Sequence, residues 1–153
     1  MIEIWTDGSC DHHDVLRPGG WCFLIVDAEN DVSFGDSDGC LRTTNNQMEL
    51  NAILEALYAL KLVQDSAIRE VVIYPDSEWS IKCITKEYDC TRKQKKTGKQ
   101  GGHVEWLKNI WNLMKGYNNI KFIRVSGHSG NENNEKVHKQ AEKMMNWARD
   151  NLR

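Results

Sequence analysis

The stretch Asn46-Gln47-Met48-Glu49-Leu50-Asn51-Ala52-Ile53-Leu54-Glu55-Ala56-Leu57-Tyr58-Ala59-Leu60 is where the period of the chain changes. Leu50, Ile53, Leu54, Leu57 and Leu60 recur at helical spacing over about three turns, so an α-helix with one apolar face is predicted. Before it, the chain reads as strands. Met1 to Asp7 alternates, with Ile2, Ile4 and Thr6 on one side and Glu3, Trp5 and Asp7 on the other, which predicts a strand ending at Asp7. A polar loop from Cys10 to Pro18 leads to Gly19-Gly20 and the apolar run Trp21 to Val26. Ala28-Glu29-Asn30-Asp31 then turns the chain into a third strand ending near Arg42.

After the helix, strands and helices alternate. Val71 to Tyr74 is a short β-branched run closed by Pro75-Asp76, as expected of a buried parallel strand. A short helix follows from Ser77 to about Thr85. Leu107, Ile110, Trp111 and Met114 mark another helix, with Gly116 placed to end it. Ile120 to Val125 reads as a fifth strand, and Val137, Ala141, Met144, Met145, Ala148 and Leu152 form the stripe of a long terminal helix. Three hairpin-linked strands followed by helix–strand units predict an α/β fold, a five-stranded mixed sheet flanked by helices. There is no internal repeat, and residues 1–153 read as one domain with a polar, basic excursion at about 87–102.

A chain of 153 residues with 40% apolar content can bury one real core. No apolar run approaches the roughly 20 residues of a membrane span, and the opening Met-Ile-Glu-Ile does not resemble a signal peptide, so a cytoplasmic protein is expected. The five cysteines are odd in number and contain no CxxC pair. That argues against a disulfide framework and a zinc ribbon, and leaves reduced thiols as the expectation. The formal net charge of -2 conceals a basic block, Arg92, Lys93, Lys95, Lys96 and Lys99.

Asp7 and Asp76 each fall where a predicted strand gives out, and strand ends in such sheets gather ligand-binding groups at one edge. Glu49, early in the long helix, can point to the same edge. Three carboxylates brought together repel one another unless a cation neutralises them. Mg²⁺ suits such a set, because it prefers oxygen ligands and shares them with substrate phosphates. Two ions about 3.5–4 Å apart would activate water and stabilise the leaving oxygen of a phosphodiester. Taken singly, each acid also has a modest structural reading: Asp7-Gly8 as a turn, Glu49 as partner of an Asn46 cap, and Asp76-Ser77 as the cap of the next helix.

The sequence contexts of these acids resemble ribonuclease H type 1 over nearly the whole chain. Thr6-Asp7-Gly8-Ser9-Cys10 resembles the family's first-strand motif, and Thr43-Thr44-Asn45-Asn46-Gln47-Met48-Glu49-Leu50 its helix-opening motif. Asp76-Ser77 and Gly127-His128-Ser129-Gly130 follow in the right order. The resemblance implies hydrolysis of the RNA strand of RNA–DNA hybrids, leaving a 5′-phosphate and a 3′-hydroxyl, by a monomer with no organic cofactor. It also implies that Asp7, Glu49 and Asp76 bind two Mg²⁺ ions, with Mn²⁺ possible or preferred, and that His128 assists proton transfer or product release. Cys10, Arg42, Thr44, Asn45 and Asn46 would contact the hybrid, and Lys93, Lys95 and Lys96 would belong to the basic handle that grips its DNA strand.

Three departures stand out. The family's fourth acidic position corresponds to His138, and imidazole suits Mg²⁺ poorly, so His138 is expected beside the metals as a site that tunes them. Asp11-His12-His13-Asp14-Val15-Leu16 stands where the family has glycines and prolines. With Cys10 it could suggest a zinc cluster, but adjacent histidines cannot easily face one ion and no second ligand pair follows. The handle lacks most of its usual aromatic residues. Two other readings remain open: a catalytically weak or inactive hybrid-binding module, and a nuclease of the same fold acting on other nucleic acids.

Overall fold

Alternating side chains make β1 (Ile2–Cys10) a two-faced central strand. The computed structural model describes residues 1–92, 102–125 and 130–153. Antiparallel to β1 runs β2 (Gly19–Asp27), which a short 3₁₀ turn at Ala28–Asn30 links to the antiparallel edge strand β3 (Val32–Cys40). Helix α1 (Asn45–Leu60) crosses to β4 (Glu70–Pro75), which pairs with β1 in parallel, and α2 (Glu78–Ile84) follows. Then come α3 (Val104–Met114), the parallel strand β5 (Asn119–Phe122) and α4 (Glu132–Asn151). The strand order is β3-β2-β1-β4-β5, the mixed sheet expected. Its β5 is shorter than the predicted Ile120–Val125, although backbone bonds Ile123 N–H to Ile73 O and Val125 N–H to Pro75 O continue the path of the strand.

One sheet face carries Ile2, Ile4, Val71 and Ile73 against Leu50, Ile53, Leu57 and Leu60 of α1, with Leu107 and Ile110 of α3 completing this core. The opposite face packs Trp5 and Cys22 against Val137 and Ala141 of α4, and Trp5 stacks on Tyr74 at 5.0 Å between ring centres. The predicted α4 stripe is buried at Val137, Ala141 and Ala148, but Leu152 lies past the helix end and is 42% exposed. No helix among the described residues is long and apolar enough to cross a membrane.

Asp27 closes β2 with a fully buried carboxylate, on which the Arg69 guanidinium donates two bonds of 2.7 and 2.6 Å. Those hydrogen bonds hold the acid well below its ordinary value of 3.8. A depressed carboxylate contributes stability above its unfolded pKa and loses it as pH falls through its folded pKa. The pair sits at the periphery, so part of its attraction is screened, and Arg69→Ala is expected to cost about 2 kcal/mol at pH 7. Denaturant titrations of parent and variant should converge as pH drops below about 4.

The expectation that all five cysteines are reduced thiols is corrected at one pair. Cys83 and Cys90 form a disulfide with Cα atoms 5.6 Å apart, while Cys10, Cys22 and Cys40 are free. After α2, Lys86 adopts a left-handed conformation (φ 65°) and Tyr88 N–H returns to Lys82 O, which folds the chain back on the helix. Spacing rules for metal and redox pairs do not see such a return. In the loop-closure account, bridging so short a segment contributes about 2–3 kcal/mol. Thermal scans with and without a dithiol reductant should therefore differ, the reduced protein melting several degrees lower.

Candidate active site

The register of β1 sets the site. Asp7 is not the last residue of its strand, as the alternation suggested, because β1 stays paired with β2 as far as Cys10 opposite Gly19. The parallel partner is what ends: pairing with β4 stops at Thr6 opposite Pro75. Asp7 is thus the first residue with an open flank on the β4 side, and Asp76 is the first residue after β4. Proline lacks the N–H needed to extend the ladder, which fits the stop.

Glu49 reaches this notch because α1 lies directly on β1. A side chain at Gly8 would run into the backbone of Met48 and Glu49, so only glycine allows the approach. Glu49 is 4% exposed, and its Oε2 has no hydrogen-bond partner among the described residues. Burial raises its pKa well above the ordinary value, and the charges of Asp7 and Asp76 add to this. Asp7 is also raised by burial, but hydrogen bonding to Glu49 and His138 opposes the rise. A proton on Glu49 donated toward an ionised Asp7 satisfies both directions.

His138, on α4, makes a 2.8 Å hydrogen bond through Nδ1 to Asp7 Oδ2, and its Nε2 lies 3.4 Å from Glu142 Oε1. The bond to Asp7 raises its pKa despite partial burial. The structure thus brings His138 against Asp7. Glu142 had no signal in the sequence beyond its place one helical turn on.

Asp76 is the outlier. Its charge is felt at Glu49 and His138, yet among the described residues no group of three or more His, Cys, Asp or Glu side chains closes around one point. It carries no capping duty, since Ser77 caps α2 by accepting from Ser80 N–H at 3.1 Å. Thr44, not Asn46, caps α1, accepting from Gln47 N–H at 3.1 Å. The Asp76-Ser77 cap is thus made by Ser77 alone and the α1 cap by Thr44, so neither Asp76 nor Glu49 is occupied in capping. As donors, three carboxylates with an unpartnered buried oxygen and too little positive charge suit a hard divalent cation, which Asp7, Glu49 and Asp76 would hold with His138 alongside.

The other candidates rim this notch. The Cys10 thiol donates to Thr43 O at 3.5 Å, Asn45 is exposed and Asn46 half-buried in the first turn of α1, and Arg42 is exposed with a left-handed backbone (φ 59°). Asp11 and Asp14 form ion pairs with Arg149, and Asp14 also with Arg153. These pairs tie the loop to the end of α4. Lys93, Lys95, Lys96 and His128 lie outside the described residues.

A family model described as RNase H matches residues 1–146. A ribonuclease H of Gluconobacter oxydans is 37% identical over 141 residues, covering 89% of this chain and 86% of that protein. One from Caldicellulosiruptor saccharolyticus is 35% identical and covers 84% of each. Among solved structures, LC11-RNase H1 in complex with an RNA/DNA hybrid superposes with a TM-score of 0.76 at 22% identity, covering 97% of this chain and 99% of that one. The N-terminal RNase H domain of rv2228c from Mycobacterium tuberculosis gives 0.75 at 14% identity over the whole of both chains. At these identities the superpositions speak for the fold alone.

Proposed function

The chain belongs to the RNase H family, and from that premise we propose that it hydrolyses the RNA strand of RNA–DNA hybrids as a single-domain monomer, leaving 5′-phosphate and 3′-hydroxyl ends. The observation that carries the reading is the pair of buried acids Asp7 and Glu49, set where the β4 ladder stops, with the charge of Asp76 acting on it. Strongly perturbed acids in a cleft mark chemistry more often than structure. Divalent ions on these carboxylates, Mg²⁺ or Mn²⁺, would supply an activated water and stabilisation of the leaving oxygen.

The residues themselves divide the work. Asp7 and Glu49 present oxygens toward the notch, and any proton held there must leave for a cation to bind fully. His138 fixes the Asp7 carboxylate through its Nδ1 contact. Asn45 and Asn46, at the accessible start of α1, can meet ribose hydroxyls, which distinguish RNA from DNA. Lysines from Lys93 onward add salt-sensitive attraction by their charge.

The test is a matched set of labelled RNA–DNA hybrid, duplex RNA and duplex DNA, incubated with Mg²⁺, with Mn²⁺ and with a chelator. Cleavage confined to the hybrid and absent with chelator is the expected result. Tight hybrid binding without cleavage in either metal would instead establish an inactive binding module, and cutting of duplex DNA a different nuclease. His138→Asp is expected to lower the Mg²⁺ concentration needed for half-maximal activity by about tenfold, the scale on which neighbouring groups tune metal affinity. Superimposable Mg²⁺ and Mn²⁺ titrations of parent and variant would remove His138 from any tuning role.

A further inference from the structure

Apart from Arg92 of the basic stretch, the other six of the seven arginines divide sharply. Arg69, Arg124, Arg149 and Arg153 are each engaged by Asp or Glu. Arg17 and Arg42 are exposed and have no carboxylate partner among the described residues, and their backbone segments adjoin. Arg42 N–H donates to Leu16 O at 2.7 Å and Thr43 N–H to Arg17 O at 3.2 Å, so the loop after β1 and the loop before α1 are laced together at these two residues.

Both arginines occupy backbone that glycine would adopt freely. Arg17 has φ 42° and Arg42 φ 59°, the left-handed region that costs an ordinary side chain about 1 kcal/mol or more. Arg17 also precedes Pro18, where extended backbone is favoured. Twice, then, a position suited to glycine carries a long cation. Nearby acids do not cancel the charge, because Asp11 and Asp14 are already held by Arg149 and Arg153. The Arg17 charge is close enough to act on the Cys10 thiol at the end of β1. Cys10 lies three residues beyond Asp7, about 10 Å along the strand.

We infer that Arg17, which no pairing explains, acts with Arg42 as a two-arginine grip on a backbone phosphodiester of the hybrid, beside the notch and ahead of the Thr44–Asn46 helix start. Guanidinium forks suit phosphate oxygens bidentately, and such contacts fix register without reading sequence. The inference rests on the hybrid reading above.

The test measures binding alone, in an Asp7→Asn background, by anisotropy of a fluorescein-labelled RNA–DNA hybrid across a KCl series. Arg17→Gly and Arg42→Gly should each weaken binding about tenfold, the worth of a charge-assisted hydrogen bond. Each should flatten the plot of log K against log salt by about 1. Their thermal midpoints should stay level or rise, because glycine relaxes the left-handed backbone. Lys121→Ala, which removes one charge beside Glu70 at the far end of β4, should leave affinity and slope at parent values. Unchanged affinity and slope in Arg17→Gly, with the parent binding tightly, would overturn the grip and leave the functional reading standing. An affinity loss matched by a fall in thermal midpoint would also overturn it, as a folding defect. A parent that does not bind the hybrid would remove the functional reading and the grip together.

Discussion

Glu49→Gln is expected to reduce hybrid cleavage about a thousandfold or more, and in the same protein to raise thermal stability in metal-free buffer at neutral pH. The activity loss follows from the role proposed for Glu49: a ligand that lets a metal stabilise developing charge is worth several kcal/mol, and about 4 kcal/mol is a factor of a thousand. The stability gain follows from burial. Glu49 is almost inaccessible, has an unpartnered Oε2, and has its pKa raised by burial and by the charges of Asp7 and Asp76. An acid whose folded pKa lies above its unfolded one binds more protons when folded. Its contribution therefore falls as pH rises above its ordinary value of 4.5 and stays low beyond the folded pKa. Glutamine does not titrate, so the variant escapes this loss. Scans with chelator should show matching midpoints near pH 4.5 and a variant a few degrees more stable at pH 7.5, for about 1 kcal/mol. A variant less stable than the parent at pH 7.5, or one still cutting at a tenth of the parent's rate, would contradict the account.

Gly20→Ala is expected to be the most damaging single-methyl change on the α4 face, at about 3 kcal/mol or more. A Cβ at Gly20 would run into Ala141 O, lie 2.6 Å from Met145 N and 3.0 Å from Met144 C. All three are backbone atoms of α4, so no side chain can rotate aside and the helix itself must shift. The same helix carries His138 to Asp7 and seals Trp5 and Cys22 under Val137 and Ala141. A fall of about 10 °C in thermal midpoint is the expected reading for a chain of this size. Full stability in the variant would mean that α4 lies farther from β2 than described.

Much of this was legible in the sequence, because the signals were periodic. Two-residue alternation at Ile2–Asp7 and helical spacing through Leu50–Leu60 place the central strand and the first long helix, and Pro75 marks the end of β4. Pairing geometry was less legible. Alternation cannot say which neighbour of β1 ends first, so it makes Asp7 a strand end, whereas Asp7 is the first residue beyond one of two ladders. The partnership of His138 with Asp7 required the packing of α4 across the sheet, although the mismatch of a histidine at an acidic position signalled where to look. Cys83 and Cys90 were missed because their meeting depends on the left-handed turn at Lys86, a residue type that seldom advertises one. Arg17 gives no sequence signal for a related reason: charge beside a proline reads as solvated loop, and only the backbone angle shows its left-handed conformation.

The outermost strand, β3, has a further consequence. Its outer rim is a template on which another chain could lay a strand of its own, although Ser37 N–H and Gly39 N–H are already taken by the Asp36 and Asp38 carboxylates at 2.8 Å. Asp36 and Asp38 are both exposed on this strand. A second copy approaching rim to rim would bring like charges together in water-poor surroundings, so self-adhesion is discouraged at the place where the sheet is most open to it.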